Sequence, residues 1–167
     1  PVSIDERPAI VDSRSRLGDW EVDTVSGKQG SGAIVTLAER KSRLYLVQYV
    51  PAKTAAVADA IICMLEPYKA HVHTITADNG SEFVEHERVA KVLNAQFYFA
   101  HPYSAWERGL NENSNGLLRQ YVPKGSDLSQ LSPDELSAFE RRLNLRPRKC
   151  LDFRQPQIVF DELRQVA

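Results

Sequence analysis

The sequence predicts an α/β fold in which one mixed sheet of five strands carries helices on both faces. Three β-rich runs come first and are separated only by short turns. A helical pattern then leads to a fourth β-rich run, and a second helical pattern leads to a fifth. Strands that are joined through a helix lie parallel in one sheet, so we expect three antiparallel strands plus two parallel ones.

The first three runs form the predicted antiparallel meander. Residues 18–25, "GDWEVDTV", alternate polar and apolar positions, and the segment "SGKQGSG" that follows favours a hairpin turn. The runs "AIVTLAER" and "RLYLVQYV" are rich in β-branched and aromatic residues, and only "KS" joins them. The glycine spacing does not match a phosphate-binding P-loop, which argues against a nucleotide site at this turn.

A helix and the fourth strand come next. Thr54 is a favourable N-cap residue, and Pro67 ends the helical pattern. Between them, apolar residues recur at the spacing of one buried helix face, namely Val57, Ala60, Ile61, Met64 and Leu65. Residues 71–76, "HVHTIT", then have the composition of a strand.

The second half of the chain alternates helices with one short strand. "EHERVAKVLN" predicts a short helix, "QFYF" the fifth strand, and residues 106–121 and 136–145 two further helices. In the first of these two helices one side is apolar and is predicted to be its buried face, formed by Trp106, Leu110, Leu117 and Tyr121. The tail after Arg146 has no regular pattern and is predicted to be irregular.

Length and composition indicate one soluble domain. A chain of 167 residues fits a single core, and no apolar run approaches the roughly 20 residues of a membrane span. The N-terminal residues lack the basic and apolar regions of a signal peptide, and two distant cysteines do not suggest a disulfide framework. We therefore expect a cytoplasmic protein without a membrane partner.

The charge balance by itself gives little support for a nucleic-acid partner. The formal net charge is −1, whereas nucleic-acid-binding domains are often strongly basic. The distribution is uneven, however, because residues 141–149, "RRLNLRPRK", contain basic residues and no acid. This cluster is either a solvated helix end or a surface that binds phosphates.

Three acidic residues share one face of the first predicted strand. Asp19, Glu21 and Asp23 occupy alternate positions, so their side chains emerge on the same side of the sheet. Such a row forms either a wet outer face or a place where a divalent cation relieves the repulsion. Periodicity alone does not say which of the three would bind the cation.

Two further carboxylates stand at positions where a functional group could lie. Asp78 directly follows the fourth strand, where open α/β sheets place ligands, although it could serve only a local Asx-turn. Glu112 points about 150° away from the predicted apolar side of its helix. It shares that polar side with Arg108 and Arg119, and this side could be an ordinary solvated face.

Carboxylates brought together from the first strand, the fourth strand and a late helix would suit Mg²⁺. Two such ions can activate an attacking oxygen and stabilise a leaving oxygen when a phosphodiester is cleaved. No histidine or cysteine nucleophile is needed for that chemistry.

The sequence resembles the DDE transposases of the insertion-sequence 30 family. The motifs that carry the resemblance are "RPAIVDSRSRLGDWEVDTV", "TADNGSEF", "FYFAHPYSAWERGLNENSNGLLRQYVPKG" and "LNLRPRKCLDF", in the family's order over almost the whole chain. A more distant resemblance to retroviral integrase cores implies a ribonuclease-H-like fold. Full-length relatives carry an N-terminal helix-turn-helix region that is absent from these residues, so we expect residues 1–167 to form the catalytic core domain alone.

The resemblance also implies roles for the acids. The family's three acids match Asp23 in W-E-x-D, Asp78 in D-N-G and Glu112 in N-E-N, which makes Asp19 and Glu21 neighbours rather than ligands. It implies two Mg²⁺ or Mn²⁺ ions, with Asp23 and Asp78 contacting both and Glu112 contacting one. The implied activity is hydrolysis at the ends of the element, which frees a 3′-hydroxyl that attacks another DNA phosphodiester.

DNA and a second copy of the chain are the implied partners. A homodimer or larger assembly, located with the bacterial nucleoid, follows from the two-ended chemistry of relatives. Basic residues expected to contact phosphates without specifying sequence are Arg108, Arg119, Lys124, Arg146, Arg148 and Lys149. Two alternatives stay open: a catalytically inactive DNA-binding or assembly module of the same fold, and a plain ribonuclease-H-like nuclease.

Overall fold

The structure, a computed structural model, describes residues 1–166 and contains one six-stranded mixed sheet. Its strands are β1 (Val2–Ser3), β2 (Asp19–Ser26), β3 (Ala33–Glu39), β4 (Tyr45–Val50), β5 (Thr74–Ala77) and β6 (Gln96–Phe99). They lie in the order β1-β6-β5-β2-β3-β4. Strands β2, β3 and β4 form the antiparallel meander, β5 is parallel to β2, and β6 is parallel to β5. The predicted α/β class and the arrangement of the five main strands are confirmed.

The predicted number of strands was one too low. The additional strand β1 is parallel to β6, with Val2 opposite Tyr98 and Ser3 opposite Phe99. Two residues are too few to produce a periodic pattern, so this strand could not be found from the sequence. Its position covers the outer edge of β6, which would otherwise present unpaired backbone groups.

Helices cover both faces of the sheet, as predicted. Within the described residues they are α1 (Ala9–Ser13), α2 (Ala55–Leu65), α3 (His86–Leu93), α4 (Gly109–Leu118), α5 (Pro133–Asn144) and α6 (Pro156–Val166). Apolar residues of α2, α3 and α6 pack with Trp20 and Val22 on one face. Those of α4 and α5 pack with Ile34 and Tyr45 on the other. None of the helices in residues 1–166 has the length and apolar character required to cross a membrane.

The predicted helix 106–121 is shorter and oriented differently. Residues Ala105–Arg108 form a 3₁₀ turn, and the α-helix begins only at Gly109. Trp106 is 76% exposed, so its predicted place in the core was wrong. Because Trp106 precedes the α-helix, the rotation of 100° per residue does not relate its direction to that of Leu110. Leu110 is buried as predicted.

The tail after Arg146 is not irregular, because helix α6 occupies most of it. Phe160 of this helix is fully buried. Its ring lies 6.0 Å from that of Trp20 and 5.3 Å from that of Tyr68, measured between centroids. Pro156, Phe160 and Leu163 follow the i, i+4, i+7 spacing of a buried helix face, which is the signal that could have predicted α6.

Candidate active site

The acidic row of β2 is covered by arginine side chains and by helix α4 rather than by solvent. Asp19 and Glu21 are fully buried, and Asp23 is largely buried, so the first of the two alternatives for this row, a wet outer face, does not apply. Asp19 accepts two hydrogen bonds from Arg16, at 2.8 and 2.9 Å, and Glu21 accepts one from Arg40 at 2.7 Å. Arginines therefore neutralise the first two acids of the row, and the repulsion that suggested a shared cation is removed by separate partners.

Asp23 and Asp78 converge on one guanidinium. Strands β2 and β5 pair in parallel with Glu21 opposite Thr76, and the same register carried two residues further brings Asp78 beside Asp23. Arg108 Nη1 lies 3.4 Å from Asp23 Oδ2, and its Nη2 lies 3.7 Å from Asp78 Oδ2. The structure thus joins two of the three predicted catalytic acids around a single positive charge.

The Asp23 carboxylate is incompletely neutralised by the protein. Its Oδ1 accepts a hydrogen bond from the backbone N–H of Thr24 at 2.8 Å, and its Oδ2 accepts one from Asn115 Nδ2 at 3.1 Å. Burial raises the pKa of Asp23 above its ordinary value and the charge of Asp78 adds to this, although Arg108 opposes both effects. The ionised form of Asp23 would therefore gain from an additional cation.

The turn after β5 orients Asp78. Its Oδ1 accepts the backbone N–H of Gly80 at 2.8 Å, which is the Asx-turn considered from the sequence. Asn79 Nδ2 donates to the carbonyl of Ala100 at 2.6 Å and so ties the turn to the end of β6. A Cβ at Gly80 would approach Glu82 Oε2 closely and lie 2.8 Å from Asp78 Oδ1, so a larger residue here would require these carboxylates to move. Since only Oδ1 serves the turn, Oδ2 is left facing Arg108.

Glu112 borders this pair without joining it. Its side chain is exposed, and within residues 1–166 no three acidic, histidine or cysteine side chains lie close enough together to hold a metal ion. Arg108, four residues earlier, and Asn115, three residues later, both contact Asp23. Glu112 and Asn115 are three residues apart within α4, and side chains at this spacing are neighbours on a helix surface, with Cβ atoms about 5–6 Å apart. Glu112 therefore lies on the helix surface beside Asn115, one of the two residues that reach Asp23.

The donor set fits a hard divalent cation. Carboxylate oxygens are the ligands that Mg²⁺ and Mn²⁺ prefer, and Asp23 and Asp78 already face a positive charge in the form of Arg108. The polar groups around them, such as the Asn115 amide, hold the carboxylates without adding charge.

Comparisons with known proteins place the chain among transposases. No protein-family model matches it. The transposase for insertion sequence element IS4351 of Bacteroides fragilis is 45% identical over 163 residues, which cover 97% of this chain and 50% of the relative. Transposase InsI for insertion sequence element IS30A of Escherichia coli K12 is 37% identical over 163 residues, covering 95% and 42%. The chain is a homologue of insertion-sequence 30 transposases over almost its whole length. It spans about half the length of the curated relatives it matches.

Solved structures confirm the ribonuclease-H-like fold expected for this family. The catalytic core domain of BIV integrase superposes with a TM-score of 0.63 at 22% identity, covering 90% of this chain and 97% of that one. A chain from the simian T-cell lymphotropic virus intasome, solved with a PP2A regulatory subunit, gives a TM-score of 0.66 at 20% identity, covering 85% and 53%.

The basic residues expected to contact DNA occupy different environments in this transposase homologue. Arg108 is within the acidic site, with only 13% of its side chain exposed. Arg119, at the end of α4, donates to the carbonyl of Ser26 at 2.9 Å. Arg108 is therefore placed to neutralise carboxylates, whereas Arg119 lies beyond them along the helix.

The remaining expected DNA contacts lie around α5 and the loops beside it. Arg146 donates to the side chain of Gln120 at 3.2 Å, and Arg148 donates to the carbonyl of Leu143 at 3.0 Å. Lys124 and Lys149 are exposed. Their roles as phosphate contacts stay predictions.

Sequence analysis missed the polar inner face of α4. Asn111 and Ser114 are buried against the sheet, and Asn115 contacts Asp23. The spacing of Asn111, Ser114, Asn115 and Leu118 is that of one helix face, which could have revealed the contact. A polar helix face was overlooked because the apolar residues were used to choose the buried side.

Proposed function

We propose that this chain is the catalytic core domain of a DNA transposase, formed by residues 1–167. Its reaction is divalent-metal-dependent cleavage of DNA at the element's ends, followed by joining of the freed 3′-hydroxyl to another DNA. The observation that carries the proposal is the convergence of Asp23 and Asp78 on one guanidinium at the ends of adjacent parallel strands. Glu112, on the bordering turn of α4, is the third acid.

In this proposal Asp23, Asp78 and Glu112 hold two Mg²⁺ or Mn²⁺ ions. Such ions supply the positive charge that activates an attacking oxygen and stabilises a leaving one. Asn115 and the Thr24 backbone hold the Asp23 carboxylate in place. The turn at Gly80 directs Asp78 Oδ2 toward the same point.

The partners are DNA and further copies of the chain. The two ends of an element must be brought together for strand transfer, so a homodimer or larger assembly acting on nucleoid DNA in the cytoplasm is the natural unit. Phosphate contacts from the basic residues of α4, α5 and the loops beside them would position the DNA without specifying its sequence.

Metal removal from the natural full-length protein tests the function. With DNA that carries an element end and with Mn²⁺, we expect nicked and strand-transferred products, and chelation of the metal should abolish both. The products are measured on denaturing gels. DNA binding without cleavage would instead indicate the inactive module, and cleavage without a joined product would indicate a plain nuclease.

Replacing Arg108 by glutamine should strengthen metal binding. The guanidinium lies within 4 Å of both carboxylates and competes with a dication for their charge. Unit charges 4 Å apart interact by about 4 kcal/mol at an effective dielectric constant of 20, and exposure reduces this, so we expect about tenfold tighter Mn²⁺ binding. Titration calorimetry measures it.

Arg119→Gln is the matched control for this titration. It removes an arginine from the opposite end of α4, where the side chain bonds the Ser26 carbonyl instead of an acid, and it should leave the Mn²⁺ affinity unchanged. Equal or weaker Mn²⁺ binding by Arg108→Gln would show that Arg108 does not compete with the metal.

A further inference from the structure

We infer that Glu21 is a positioning residue that fixes the first turn of helix α4, and with it the position of Glu112 relative to Asp23. This inference rests on the proposed function of those two acids. Glu21 itself does not bind Arg108 as Asp23 and Asp78 do, because its two oxygens accept hydrogen bonds from Arg40 and from the Asn111 backbone.

The two oxygens of Glu21 join the strand of one acid to the helix of another. Glu21 precedes Asp23 by two residues on β2 and is fully buried. Its Oε1 accepts the backbone N–H of Asn111 at 3.1 Å, and Asn111 directly precedes Glu112. Its Oε2 accepts from Arg40 Nη1 at 2.7 Å.

Helix α4 needs an acceptor at this place. The first four N–H groups of a helix have no partner within the helix, and they form its positive end. The N-cap residue of α4, Arg108, provides no side-chain cap. The Glu21 carboxylate supplies the missing acceptor from the sheet, as a charge-assisted hydrogen bond to the third amide of the helix.

Arg40 allows this carboxylate to be buried. Only 5% of Arg40 is exposed, and its Nε donates to the carbonyl of Val11 at 3.1 Å. The guanidinium is thus fixed by the backbone of α1 while it neutralises Glu21. A buried carboxylate without such a partner would carry a large desolvation cost.

Three other side-chain contacts hold the inner face of α4 to the sheet. Thr36 Oγ1 donates to Asn111 Oδ1 at 3.1 Å, Asn115 Nδ2 donates to Asp23, and Tyr45 Oη donates to Asn115 Oδ1 at 2.6 Å. Of these four attachments, only the Glu21 bond fixes the backbone of the turn that carries Glu112. Its loss should therefore displace Glu112 while the later part of the helix stays attached.

Asp19 provides a matched control within the same row. It is equally buried and is also paired with an arginine, and it accepts a bond from Thr74 on β5 at 2.7 Å. Among residues 1–166, no hydrogen bond or ion pair joins Asp19 to α4. Asp19→Asn therefore disturbs a buried ion pair on the same strand face without touching the helix.

Hydrogen exchange and metal binding of the full-length protein test the inference. In Glu21→Ala the amides of residues 109–112 should exchange about tenfold or more faster than in wild type, since a hydrogen bond to a charged group is lost. Mn²⁺ affinity should fall with it, and kcat for DNA cleavage by about 100-fold, the usual penalty for a misplacement of about 1 Å. Asp19→Asn should resemble wild type in all three.

Glu21→Gln covers the case in which Glu21→Ala does not fold. The amide keeps an acceptor for Asn111 but loses the charge, so exchange at residues 109–112 should be at least threefold faster than in Asp19→Asn. Exchange and Mn²⁺ affinity equal to those of Asp19→Asn would overturn the inference. Full cleavage by Glu112→Gln would overturn the proposed function instead, whatever the exchange at α4 shows.

Discussion

Replacing Asp78 by asparagine is expected to lower metal-dependent DNA cleavage by at least about a thousandfold, since a metal-binding carboxylate contributes several kcal/mol and each 1.36 kcal/mol is a factor of ten. The substitution should have little effect on the stability of the fold. Asparagine Oδ1 can still accept the Gly80 N–H that holds the turn, and only the charge facing Arg108 is lost. Single-turnover cleavage with Mn²⁺ measures the rate, and thermal unfolding verifies the fold.

Asp19→Asn is the control for this measurement. It removes a fully buried carboxylate from the neighbouring strand, where Arg16 and Thr74 rather than Asp78 are its partners. Its cleavage rate should stay within about tenfold of wild type, since no reacting group would be lost. An Asp78→Asn protein that cleaves as fast as Asp19→Asn, with unfolding unchanged, would exclude Asp78 from the mechanism.

Replacing the acid by its amide is most informative at Glu112. Its side chain is exposed, and exposed substitutions away from caps and networks change stability by only about ±0.5 kcal/mol. A loss of cleavage in Glu112→Gln could therefore not come from unfolding. The structure leaves Glu112 apart from the two aspartates, so its place in the reaction depends on this helix surface approaching Asp23.

The three acids of β2 differ in how closely arginine neutralises them. Asp19 and Glu21 accept hydrogen bonds from Arg16 and Arg40 at 2.7–2.9 Å, whereas Arg108 remains 3.4 Å from Asp23. Burial also raises the pKa of Asp23 above its ordinary value. Of the three carboxylates on this face of β2, Asp23 is the most loosely paired with its arginine. Replacing that arginine by a metal ion therefore costs the least free energy at Asp23.

Local pattern was enough to predict the sheet but not the environment of its acids. Alternation along β2 placed Asp19, Glu21 and Asp23 on one face, and the helical crossover made β5 parallel to β2. Whether that face was wet depended on α4, which lies about 90 residues further along the chain. The partners Arg16 and Arg40 give no periodic signal either, so burial of the acids could not be derived from spacing.

The two wrong predictions about helices, the burial of Trp106 and the irregular tail, have a different origin. Trp106 was misplaced because the helix was begun three residues too early, and a 3₁₀ turn does not share the rotation of the α-helix that follows it. Helix α6 was missed because its buried positions are few, so the tail showed no regular pattern. Tertiary contacts therefore determine both where α4 begins and whether α6 forms.

Helix α6 packs behind β2, the strand that carries Asp23, so Phe160→Ala should be the most destabilising substitution in the tail. The fully buried Phe160 ring packs on Trp20, which is in β2 three residues before Asp23. Truncating a buried phenylalanine leaves a cavity and costs about 3–5 kcal/mol of unfolding free energy. Urea denaturation measures this loss.

Phe153→Ala, which truncates a 70% exposed ring in the same tail, is the control and should change the free energy of unfolding by only about 0.5 kcal/mol. Equal losses in the two variants would mean that α6 does not pack behind β2, and the support of the Asp23 strand would have to come from α2 and α3 alone.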